Sequence, residues 1–242
     1  MTKAERIKIR NTVLYVLFLV IWTFASVVAS QLLVGFLFLL LLGKEGLASP
    51  VWSAISAFLS YALTIVLVIL VPPNIKKLKQ KPASRNDLGL RNYPTWTDIG
   101  LAPVGYIASS ILGVIAATIF SLFPWFNASE VQDVGFDLYL DGGEKAIAFV
   151  VLVVLAPIAE EVVFRGWLYG KLREKLNVPV AILITSILFG VVHFQWNVGV
   201  NVFALSVVLC GLREVTGTIY AGIITHMIKN GVAVYLLYAL HV

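Results

Sequence analysis

Apolar residues occur in long unbroken blocks, without the alternation of a strand or the one-faced repeat of a surface helix. Seven blocks stand out, near 13–42, 52–71, 99–123, 146–170, 179–196, 198–212 and 218–240. A helix that is apolar all round is buried in a large core or in lipid, and about 20 such residues cross the hydrocarbon of a bilayer. The pattern predicts an all-α, polytopic transmembrane helical bundle of about seven spans, with six and eight as its bounds. The sixth block is short and closely linked to the fifth. It reads equally as a re-entrant or strongly tilted segment. The first block is long enough to tilt, or to kink near Gly35. Basic residues precede it as in a signal peptide, but its length far exceeds a signal core of roughly 7–15 residues. It is read as an uncleaved anchor helix.

Composition agrees. The 242 residues are 60% hydrophobic and 13% charged, where a soluble domain carries about 25% charged residues. The bilayer is thus the first partner. The length suits one membrane domain over 1–242, with a motif-bearing core at about 146–240 and little room for a soluble second domain. The lone Cys210 excludes a disulfide framework and a cysteine metal site, and reads as apolar filler. The net charge of +5 does not point to nucleic acid, because the basic residues cluster beside apolar blocks. Lys3, Arg6, Lys8 and Arg10 precede the first block. Lys76, Lys77, Lys79, Lys81, Arg85 and Arg91 follow the second, and Lys171, Arg173 and Lys175 follow the fourth. Segment 124–145 is acidic, with Glu130, Asp133, Asp137, Asp141 and Glu144 against Lys145. The positive-inside rule puts the N-terminus in the cytoplasm and the acidic segment outside. A plasma-membrane location follows as the expectation. Trp52, Trp96 and Trp125 fall near span ends, as an aromatic belt requires.

The polar exceptions inside the blocks carry the chemistry. Glu160 and Glu161 are the acids well inside a span, joined by Arg165, His193, His226, Lys229 and Asn230. An ionisable group at the bilayer centre costs about 2.5–3.5 kcal/mol on insertion scales, so each is a functional candidate. Glu161 and Arg165 share a helix face and can pair. Glu160 points about 100° away and is free to face something else. His226 and Asn230 also share a face, and Phe189 lies one turn before His193. Measured from the basic end, Glu160 lies about 16 Å deep, His193 about 21 Å and His226 about 12 Å. Three helices therefore bring polar groups to comparable depth.

These residues resemble the CPBP family of intramembrane proteases, the CAAX protease and bacteriocin-processing enzymes also called the Abi family. Glu160-Glu161-Val162-Val163-Phe164-Arg165 resembles its Glu-Glu-x-x-x-Arg motif. Phe189-Gly190-Val191-Val192-His193 resembles Phe-x-x-x-His, and His226-Met227-Ile228-Lys229-Asn230 resembles His-x-x-x-Asn/Asp. Thr216-Gly217-Thr218 is similar to the family's lead-in to the last helix, and Leu88-Gly89-Leu90 to a stretch common in its members. The resemblance implies an intramembrane endopeptidase, similar to type II CAAX prenyl endopeptidases. Lys229 has no role in that pattern.

No serine, cysteine or His-Glu-x-x-His motif supplies a nucleophile or metal site, so attack by water is expected. Burial makes a carboxylate a stronger base, and Glu160 is the candidate general base. His193 would hold the water and pass on a proton. His226 and Asn230 would donate hydrogen bonds to the oxyanion. Glu161 and Arg165 would support them as a buried pair. A Zn2+ ion on Glu160, His193 and His226 remains open, since two histidines and a glutamate form a known catalytic set. Asn230 one turn after His226 suits an oxyanion hole better, which favours no obligatory metal. The substrate would be a peptide or protein C-terminus, lipid-modified or not, entering from the cytoplasmic half. CAAX-type, bacteriocin and signal-peptide substrates all fit. A proton-coupled transporter and a non-catalytic immunity protein of the same fold are the alternatives.

Overall fold

A computed structural model describes residues 1–47, 49–74, 81–91, 93–128, 130 and 142–239. Lys76, Lys77, Lys79, Asp133, Asp137 and Asp141 lie outside the described residues.

Among the described residues, seven helices match the seven apolar blocks. They are α1 (Lys3–Leu47), α2 (Pro50–Asn74), α3 (Trp96–Phe120), α4 (Gly142–Arg173), α5 (Val178–Val191), α6 (Trp196–Thr216) and α7 (Tyr220–Ala239). Five of them, α1 to α4 and α6, are long and apolar enough to cross a membrane. Two details depart from the sequence reading. The short helix is the fifth, at 14 residues, while the sixth runs a full 21. The break in α1 falls at Gly43, whose φ of 67° and ψ of −175° are open to glycine, and Gly35 stays helical.

Helix ends are fixed by local chemistry. A capping box starts α3: the Thr95 hydroxyl accepts from the Asp98 amide, and the Asp98 carboxylate accepts from the Thr95 amide at 2.8 Å. The Asn177 side chain caps α5. Gly217, with φ at 68°, ends α6 in the left-handed conformation. Asp98 also accepts from the Thr218 hydroxyl at 2.9 Å, tying the start of α3 to the start of α7. The Ile219 amide donates to the Gly89 carbonyl at 3.1 Å, and Arg213 donates to the Asp87 and Gly217 carbonyls. The two lead-in segments noted in the sequence therefore clasp each other at the basic end.

Helices α2 and α4 each contain wide, π-helical turns, over Val66–Leu70 in α2, and over Val150–Leu155 and Val162–Leu168 in α4. Proline sits beside the first two. The Val71 amide bonds back five residues to Val66, which frees the Leu67 carbonyl, and Pro72 has no N–H to take it. The Trp22 indole of α1 donates to that carbonyl at 3.0 Å. The same exchange occurs in α4. The Ala156 amide bonds to Val151, Pro157 offers no N–H, and the Leu152 carbonyl is left for another helix.

Close backbone approach sets the rest. Helices α5 and α6 meet where a Cβ on Gly190 would lie 2.8 Å from the Gly199 carbonyl oxygen. Small residues at such crossings let membrane helices pack closely. Helix α3 packs on α6 and α7, and α7 packs on α4.

Candidate active site

The wide turns of α4 flank a short α-helical segment, Ala156–Glu161, which carries both glutamates. Wide turns of this kind are frequent at functional sites. Glu161 is fully buried and acts as a hub. Its Oε1 accepts from Arg165 Nη1 at 2.8 Å and lies 3.1 Å from His226 Nδ1. Helix α7 reaches it because Gly222 has no side chain: a Cβ there would lie 3.0 Å from Glu161 Oε2. An ionised carboxylate only accepts, so the His226 Nδ1 carries a proton. His226 Nε2 then points toward the other glutamate, 3.8 Å from Glu160 Oε2.

Glu160 faces a different environment. Its Oε1 accepts from the Tyr61 hydroxyl of α2 at 3.0 Å. Its side chain keeps 18% of its exposure and lines a cavity of about 640 Å³. His193, His226, Lys229 and Asn230 line the same cavity. The structure therefore brings together Glu160, His193, His226 and Asn230, with Glu161 and Arg165 packed behind them.

His193 lies in the turn between α5 and α6. Its Nδ1 is 2.7 Å from the Phe189 carbonyl, an acceptor only, so Nδ1–H is the donor and Nε2 of the neutral ring carries a lone pair. The next residue, Phe194, has φ at 53°, a costly value for an aromatic residue. The turn holds His193 at the end of a short helix rather than inside a long one.

Phe189 is fully buried among these groups. The Arg165 guanidinium lies 4.3 Å from its ring centroid, a cation–π contact. The rings of His193 and His226 lie edge-on at 5.0 and 6.0 Å, and that of Phe164 at 4.9 Å. Phe189 thus spaces the two imidazoles. Asn230 donates from Nδ2 to the freed Leu152 carbonyl at 2.9 Å. The Pro157 turn and the last motif residue therefore fit each other, and one amide hydrogen of Asn230 is committed to that bond.

Two contributors have no motif in the sequence. Tyr61 lies on α2, far from the three motifs, and its signal is weak: Ser53, Ser56, Ser60 and Thr64 mark a polar face through an apolar helix, and Tyr61 borders it. Asp98 links the lead-in of α7 to α3, away from the cavity.

The donors available for a zinc ion are Glu160, His193 and His226. Among the described residues, no three His, Cys, Asp or Glu side chains converge closely enough to hold a metal ion together. The set as arranged does not fit, and no step below passes through a metal.

The cavity lining runs from Ser53 to Thr64 on α2 and from Leu152 to Phe164 on α4, about the middle of the latter helix.

Residues 142–232, which hold every motif residue of the site, match the family model described as type II CAAX prenyl endopeptidase Rce1-like. The likeness covers the motif-bearing segment, 91 of the 242 residues. A curated protein named "Putative membrane peptidase YdiL", from Bacillus subtilis (strain 168), is 26% identical over 185 residues, covering 76% of this chain and 70% of that protein. No solved structure matches the chain. With the apolar helical bundle, these likenesses support an integral membrane peptidase in general.

Proposed function

We propose that the chain is an endopeptidase that hydrolyses peptide bonds inside the membrane with water activated by Glu160 and His193. The observation that carries this reading is the division of labour between adjacent carboxylates. Glu161 is spent on Arg165 and His226, while Glu160 faces the cavity with the Tyr61 hydroxyl bonded to it and His226 Nε2 at 3.8 Å. A water beside Glu160 gives its proton to the carboxylate, and the resulting hydroxide adds to the substrate carbonyl. His193 accepts the water's other hydrogen through Nε2, which aims the oxygen lone pair. The negative charge passes from Glu160 to the tetrahedral oxyanion. Nε2–H of a protonated His226, backed by the Glu161 carboxylate, and the second amide hydrogen of Asn230 donate to it. The intermediate collapses as the C–N bond breaks, and the proton that Glu160 took from the water goes to the leaving amine, directly or relayed through Nε2 of His193.

The reading includes an orientation. Basic residues crowd the end formed by the N-terminus, the α2–α3 and α4–α5 connections and the α6–α7 corner. At the other end only Lys44 and Lys145 occur. By the positive-inside rule, the crowded end faces the cytoplasm of a plasma membrane. The substrate is a peptide or a protein C-terminus, of CAAX, bacteriocin or signal-peptide type.

Purified protein in liposomes tests the function. Peptide cleavage that is lost in Glu160→Gln and His193→Ala, without proton or ion flux in the wild type, is the expected outcome. Flux without cleavage would replace the peptidase with a transporter.

A further inference from the structure

Two side chains that line the cavity carry a full charge at neutral pH, Glu160 and Lys229. The proposed chemistry uses the first and leaves the second idle. Lys229 stands mid-way along α7, nine residues after Tyr220 and ten before Ala239, or about 14–15 Å of helix from either end. A four-carbon stem does not reach a membrane surface over that distance, so the ammonium stays inside the bundle. Its side chain is half-buried against the cavity. Among the described residues, no hydrogen bond or ion pair reaches it, and the Glu160 carboxylate acts on it electrostatically from beyond ion-pair distance. A cation in the membrane interior is costly, and it is kept where something repays that cost.

The helix geometry says where a partner would sit. With about 100° per residue, Lys229 lies about 60° to one side of His226, and Asn230 about 40° to the other. The two oxyanion donors therefore share one face, and Lys229 flanks it. An ammonium placed there meets a group beside the scissile carbonyl rather than the carbonyl oxygen itself. Leu152, Ala156, Ala233 and Val234 line the same cavity. Apolar walls strengthen any pairing formed between them. They also strengthen repulsion: without Lys229, an anionic substrate group near Glu160 would be disfavoured. A neutral peptide gives the ammonium only carbonyl oxygens, whereas a carboxylate gives it a charge-assisted bond.

We infer that Lys229 sets substrate specificity by receiving a carboxylate of the substrate, placed within about two residues of the scissile bond on an extended chain. A chain end or an Asp or Glu side chain supplies the same group. The inference rests on the peptidase reading of this cavity and adds a charge requirement to it.

Peptide pairs test it. The probes are fluorophore-labelled octapeptides, randomised over apolar residues, in three forms: a free C-terminal carboxylate, a C-terminal amide, and the amide with one Glu next to last. Purified protein in liposomes is scored for cleavage, as kcat/KM, and for binding by fluorescence anisotropy. The readout is the ratio of a carboxylate form to the plain amide on the same variant, which cancels any change common to both. The wild type is expected to favour at least one carboxylate form by about ten-fold or more. Preference for the free terminus or for Glu identifies the source. In Lys229→Met the ratio should fall to one or below, and Lys229→Arg should restore it. A wild-type ratio near one overturns the inference. So does a ratio unchanged in Lys229→Met, including an equal loss on both forms, which would make Lys229 a counter-charge to Glu160. Cleavage without charge preference leaves the peptidase reading standing. Charge-selective binding that Lys229→Met abolishes, without cleavage of any form, leaves carboxylate recognition standing and removes the peptidase. The two failures are thus distinguishable.

Discussion

Replacing Glu161 with Gln keeps the side chain's shape and removes its charge. Arg165, fully buried 2.8 Å from Glu161 Oε1, would then be a cation without a counter-charge in an apolar core. The Phe189 ring at 4.3 Å compensates only in part. Breaking a buried ion pair by removing one partner typically costs about 3–5 kcal/mol. For a chain of this size each kcal/mol moves a melting point by about 2–4 °C, so Glu161→Gln should lower it by about 6–20 °C. Cys210 provides the readout: it is the only thiol and is fully buried, so a thiol-reactive fluorophore reports unfolding in detergent. Removing both charges, as in Glu161→Leu with Arg165→Leu, should recover much of the loss, because apolar replacement of a whole buried pair is often neutral or stabilising. That double variant should still be inactive, since His226 loses the carboxylate 3.1 Å from its Nδ1. A Glu161→Gln melting point within about 2 °C of wild type, or a double variant less stable than the single one, would refute the hub assignment.

Other outcomes follow from the same geometry. Gly190→Ala places a Cβ 2.8 Å from the Gly199 carbonyl oxygen, so α5 must shift away from α6 and carry His193 with it. A displacement approaching 1 Å at a catalytic group costs about 100-fold in rate, and a kcat near wild type in Gly190→Ala would show that His193 tolerates the shift. Tyr61→Phe removes the hydroxyl that donates to Glu160 and should lower kcat by about ten-fold, equivalent to about 1.4 kcal/mol, with little change in KM. An unchanged kcat would remove Tyr61 from the site. Metal-free preparation should leave cleavage intact, checked by metal analysis of the same sample; loss of activity restored by zinc would revise the mechanism.

Much of this architecture was legible because lipid imposes simple rules. Long apolar blocks became helices, and the polar residues inside them gather around one cavity, since a buried charge is retained only where something repays its cost. Glu161 and Arg165 pair at the predicted spacing, although the helix between them is wider than a regular one. What was hidden depends on lateral packing. The Gly190–Gly199 approach, the shortness of α5 and the aim of Tyr61 at Glu160 involve contacts between helices, which spacing within one helix does not encode. One signal was present and unused. Pro157 sits five residues after Leu152, Pro72 five after Leu67, and each leaves a carbonyl that another helix takes.

The central claim is that Glu160 is the base and Glu161 is not. Single-turnover cleavage by Glu160→Gln, in liposomes at matched folded protein, tests it most directly. The account predicts a chemical step slower by about 10²–10⁴-fold, with the melting point and substrate binding close to wild type. A rate near wild type in Glu160→Gln would contradict it.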